Sequence, residues 1–170
     1  MILRLKVLIA ITFILLAFSA AGPTANASEI EQPGRFGLGL SVGWPGPALS
    51  TNTFVADWMS IQANLGPFWS FHGGFLAADY LFWLHDIVTH EKLDFTWFVG
   101  PGLVFAFWDN RYSWRRNASL VGAVEGDIGL ALQFKEQPFD LVFQVAPGVM
   151  FGEFGAWLWI QGNAAFRYYF

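Results

Sequence analysis

Bulky apolar side chains recur at every second position through most of this chain, and that period decides what it can fold into. Between Leu158 and Phe170 the even positions are Leu158, Ile160, Gly162, Ala164, Phe166, Tyr168 and Phe170, with Gln161, Asn163, Arg167 and Tyr169 between them. Successive side chains of a strand point to opposite faces, so the segment reads as a strand with one apolar and one polar side. Leu120 to Phe134 repeats the split, with Leu120, Val124, Ile128, Leu130, Leu132 and Phe134 against Ser119, Glu125, Asp127 and Gln133. In Phe139 to Phe151, the set Phe139, Leu141, Phe143, Val145, Val149 and Phe151 opposes Asp140, Gln144 and small residues. Residues 36–44, 59–65 and 95–108 alternate with glycine, serine, threonine, glutamine or asparagine on the second face. Two weaker alternators, 48–56 and 71–84, bring the count to eight.

The sense of the alternation narrows the choice. In a soluble barrel the bulky apolar residues would fill the interior and polar ones would face water. Here the polar set is also the small one, which suits a narrow interior, while Phe, Leu, Val and Ile suit hydrocarbon. Only 13% of residues are charged and 55% are hydrophobic, where a soluble domain carries about 25% charged residues. After residue 27, glycine, proline or a charge interrupts each apolar stretch before it reaches the roughly 20 residues of a membrane helix. A closed barrel is the other structure that satisfies every backbone group in lipid.

The first 27 residues have their own pattern. Arg4 and Lys6 precede the apolar run Val7 to Ala20, and Ala25-Asn26-Ala27 offers a small-x-small cleavage site. This is the layout of an export signal, removed from the mature chain. Cleavage takes two of nine basic residues and none of thirteen acidic ones, leaving seven against thirteen and a net charge of −6. Such a balance disfavours a nucleic-acid partner, and the absence of cysteine excludes disulfides. Residues 28–170 then give about 18 residues per strand and connection, enough for the roughly 9–11 that cross a bilayer. The expected fold is all-β, an eight-stranded antiparallel up-and-down transmembrane β-barrel of the bacterial outer membrane, monomeric and without cofactor. With both termini in the periplasm, 44–47, 68–71, 108–118 and 152–155 are outer connections, and 57–58, 85–92 and 135–138 are inner turns.

In the final strand Phe166, Tyr168 and Phe170 share the apolar face. Strand addition reads alternate side chains in pockets, so these three are the expected grip for barrel assembly machinery; an interfacial aromatic girdle is the plainer reading. Gly43-Trp44-Pro45 with Leu49-Ser50, Asp79-Tyr80-Leu81-Phe82, Pro138-x-Asp140 leading to Val145-Ala146-Pro147, and Arg167-Tyr168-Tyr169-Phe170 together resemble a family of small bacterial outer-membrane barrels. Those proteins are similar in architecture to the transmembrane domain of outer-membrane protein A. The resemblance implies a fold and, since the family has no settled activity, no chemistry.

Asp79, Glu125, Asp127, Asp140 and Arg167 are expected on inward faces, with Arg167 the one strand-borne cation to meet the acidic set. They read as a static polar plug or as a cation-selective pore gated by a switchable pair. The plug is preferred, because eight strands leave an interior just filled by side chains. Arg111, Tyr112, Trp114, Arg115 and Arg116 cluster in the longest outer connection. Guanidinium forks bind phosphate and carboxylate, so lipopolysaccharide or an extracellular macromolecule is a candidate partner, against an ordinary headgroup girdle. His85 and His90 are expected in one inner turn at a spacing with no strong ligand precedent. No metal site is expected. Ser70 near His72 is the one nucleophile and base pairing worth inspecting. The function expected is a structural or surface-recognition scaffold, with a narrow pore as the alternative and a lipid-modifying enzyme third.

Overall fold

A computed structural model describes residues 34–109, 118–152 and 155–170. Eight strands run in the order β1 (Phe36–Trp44), β2 (Ala48–Ala56), β3 (Met59–Pro67), β4 (Gly73–Thr89), β5 (Leu93–Asp109), β6 (Ala118–Phe134), β7 (Phe139–Gly152) and β8 (Gly155–Tyr169). Each pairs antiparallel with its neighbour in sequence, and β1 pairs with β8 to close the barrel. An all-antiparallel order needs only short hairpins and leaves no free edge. The export signal expected over 1–27, and residues 110–117 of the expected outer connection, lie outside the described residues.

Alternation maps onto the two faces of the wall as the period-2 pattern requires. Phe143, Leu130 and Ile160 are 49%, 38% and 51% exposed on the outside, whereas Glu125 and Gln161 are each 1% exposed within. On the outside near the chain termini, aromatic rings pack in small groups. Trp58 stacks on Phe82 at 5.9 Å, Phe139 contacts Phe134 at 4.6 Å and Phe166 at 5.3 Å, and Tyr168 meets Phe170 at 5.0 Å.

The inward face is less uniformly polar and small than its sequence suggests. Two apolar layers cross the lumen. Toward the 45–47 and 68–72 connections, Phe75, Val104, Val121 and Met150 pack with alanines and partly buried Phe68 and Trp157. Toward the termini, Phe54, Leu81, Trp83 and Phe98 pack with Val142 and Tyr169. Phe98 fits because position 129 is glycine: a Cβ there would overlap its ring. Bulk on one strand is thus matched by absence of bulk on the next, which lets a narrow interior close-pack.

The turn expected over 85–92 is corrected to His90–Lys92, since β4 continues through His85 and Asp86 to Thr89. Its pairing with β5 shifts register between Trp83 and Asp86 and again between Asp86 and Val88. A bulge adds an unpaired residue and resets which side faces in, so a strict period-2 test ends the strand too early.

Candidate functional site in the barrel lumen

A belt of buried polar side chains lies between the two apolar layers and interleaves with the one near the termini. Ser50 and Asn52 come from β2, Gln62 and Asn64 from β3, Asp79 from β4, Glu125 and Asp127 from β6, Asp140 and Gln144 from β7, and Gln161 and Arg167 from β8. Thr96 of β5 and Ser60 of β3 are buried too, but Ser60 is engaged by Trp83, whose Nε1 donates to its hydroxyl at 2.7 Å. All five lumen residues expected from the sequence are therefore inside, at 2% exposure or less.

They do not form one cluster around Arg167, which corrects the expectation that this cation meets the whole acidic set. Asp140 and Arg167 face each other across the β7–β8 ladder. Arg167 Nε and Nη2 donate to the two Asp140 oxygens at 3.1 and 2.8 Å, a bidentate fork. Tyr169 donates its hydroxyl proton to Asp140 Oδ2 at 2.7 Å, and Asn52 Nδ2 donates to the Tyr169 oxygen at 3.1 Å. The remaining guanidinium nitrogen, Nη1, donates to Gln62 Oε1 at 2.7 Å. A buried pair needs such extra bonds, because desolvation of both charges otherwise exceeds their attraction.

Asp79, Glu125 and Asp127 make the second cluster, on the side of Gln62 away from Arg167. Register explains their approach: Asp79 lies opposite Gly102, Gly102 opposite Glu125, and Gly100 opposite Asp127. Strand β5 thus presents no side chain at the two positions that separate β4 acid from β6 acids. One oxygen from each carboxylate lies within 4.8 Å of the others. At an effective dielectric constant of about 20, two ionised carboxylates this close repel by roughly 3 kcal/mol. Neutral amides hold the cluster. Gln62 Nε2 donates to Asp79 Oδ2 at 3.0 Å and to Gln144 Oε1 at 2.6 Å, and Gln144 Nε2 donates to Asp127 Oδ1. Glu125 accepts from Gln161 Nε2 at 2.8 Å and from Trp159 Nε1 at 3.1 Å.

Sequence reasoning named the charges and missed the amides. Gln62, Gln144 and Gln161 sit at inward positions of an alternating pattern, which was the available signal for them. Elsewhere, Phe166, Tyr168 and Phe170 all point outward, at 52%, 47% and 69% exposure. Ser70 and His72 are both exposed in the 68–72 connection, and His90 is exposed in the turn between β4 and β5. Arg111, Tyr112, Trp114, Arg115 and Arg116 lie outside the described residues. Comparison of the chain with protein-family models, curated proteins and solved structures gave no match in any of the three.

Proposed function

We propose that this chain is a bacterial outer-membrane scaffold barrel, closed to solutes, whose wall faces lipid and whose connections are available for recognition at the cell surface. The observation that carries the reading is the inside-out distribution of polarity, with Leu40, Leu120 and Leu158 each 66–70% exposed while Arg167 and Asp140 are at 0%. Hydrocarbon is the solvent in which that arrangement costs least. The aromatic groups beside the termini match the girdle that such barrels place at a membrane interface. Within this reading, Phe166, Tyr168 and Phe170 meet the assembly machinery.

Closure to solutes rests on the two apolar layers and the bonded belt between them. In planar bilayers the purified protein gives no stepwise conductance, and neither does the Arg167→Ala variant. Discrete steps whose size changes in that variant would replace the scaffold by a narrow pore. The recognition role rests on the sequence of residues 111–116. Replacing Arg111, Arg115 and Arg116 together by alanine reduces binding to lipopolysaccharide-containing vesicles by at least about tenfold if those guanidiniums grip phosphate. Unchanged binding removes that role and leaves the scaffold.

A further inference from the structure

The plug accounts for Arg167 and Asp140, which bind each other in a two-bond fork, but not for the way the other three acids are aimed. Asp79 Oδ1 and Asp127 Oδ2 accept no hydrogen bond, although each residue is only 2% exposed. Both oxygens converge on the space above Gly102, where an added methyl would stand 2.5 Å from the first and 2.7 Å from the second, with Glu125 Cγ at 3.0 Å. A static hydrogen-bonded plug would turn buried oxygens toward donors. Here the amides grip the other oxygen of each aspartate and leave these two pointing at one another across a shared gap. Gln161 Oε1 is also buried without a partner, on the side chain whose Nε2 holds Glu125.

Converging hard oxygens with net negative charge are the donor set of a divalent cation. Two oxygens each about 2.4 Å from one calcium ion stand at most about 4.8 Å apart, whereas the shorter bonds of magnesium, about 2.1 Å, require a tighter octahedral set. The triad, with one oxygen from each acid within 4.8 Å of the others, is compact enough for all three to reach one such ion. We propose that Asp79, Glu125 and Asp127 bind a divalent cation such as calcium inside the barrel. The ion would tie β4 to β6 across the side-chain gap in β5. Since apolar layers lie on both sides of the belt, it would enter as the barrel closes and be retained afterwards.

The test uses the full chain refolded in detergent micelles, with terbium as a luminescent substitute for calcium. Trp159, whose Nε1 is 3.1 Å from Glu125 Oε2, is close enough to sensitise it. Refolding with terbium gives emission on tryptophan excitation, and calcium present during refolding suppresses it. Saturating calcium alone raises the unfolding midpoint by roughly 5 °C. Asp127→Asn and Gly102→Ala each weaken the apparent affinity by at least about tenfold, the scale on which even outer-sphere changes act. Gly102→Ala removes no charge, so its effect separates a shaped site from general attraction to acidic groups. A folded wild-type barrel without sensitised emission, or equal affinity in both variants, overturns the proposal. Should both variants fail to fold, the calcium dependence of the wild-type midpoint decides: no shift overturns it.

Discussion

Replacing Arg167 by alanine is expected to destabilise the barrel by about 3–5 kcal/mol, the usual cost of removing one member of a buried ion pair. The loss comes from what remains behind. Asp140 would keep only the Tyr169 hydroxyl at 2.7 Å as a donor, and Gln62 Oε1 would lose its partner at 2.7 Å. Arg167→Lys retains the charge but not the fork, so it falls between alanine and the native residue. The double variant Arg167→Met with Asp140→Leu recovers much of the loss, because it removes both charges from a site at 0% exposure and fills the volume with apolar atoms. Reversible denaturant unfolding in micelles measures all three. Equal stability of native protein and Arg167→Ala would mean that the fork contributes nothing to holding the lumen together.

Ile160→Lys tests the opposite face. Ile160 is 51% exposed on the outside of β8, opposite Pro147 on β7. In a lipid bilayer a lysine near mid-depth of the wall costs about 2–4 kcal/mol, whereas on a water-facing wall a surface substitution stays within about 0.5 kcal/mol. Unfolding from lipid vesicles gives the difference, and membrane fractionation of expressing cells gives a second readout. A neutral or solubilising effect would sink the membrane reading while leaving the fold untouched. The two substitutions therefore probe independent surfaces of one wall, and their effects should add, since they share no partners.

The strands were legible because their contrast is periodic. Eight segments could be found by reading every second residue, and β8 needed little more than Leu158, Ile160, Phe166 and Tyr168 on one side with Gln161 and Arg167 on the other. Where an extra residue interrupts the ladder, as beside Asp86, the period shifts and the strand looks finished before it is. The composition of the lumen was legible in part: Asp79, Glu125, Asp127, Asp140 and Arg167 were all identified as inward. Their grouping was not, because it depends on stagger between strands. Asp79 and Glu125 are brought together by a register in which Gly102 faces both, and no local pattern encodes stagger. The apolar layers were hidden for a related reason. Phe98 and Trp83 look like breaks in alternation until a glycine or a serine on the neighbouring strand makes room or supplies an acceptor.

The position of the Arg167–Asp140 fork bears on how such a barrel can be built. Its two residues are direct neighbours in the β7–β8 hairpin, so a chain that has formed nothing but its last two strands already carries the guanidinium neutralised. The bond from Arg167 to Gln62 spans 105 residues of sequence and needs the cylinder to be nearly shut. Charge compensation is thus local and early, whereas anchoring to the opposite wall is late. Under the proposed membrane reading, a cation that would be prohibitive alone in hydrocarbon can travel with its counter-ion throughout insertion.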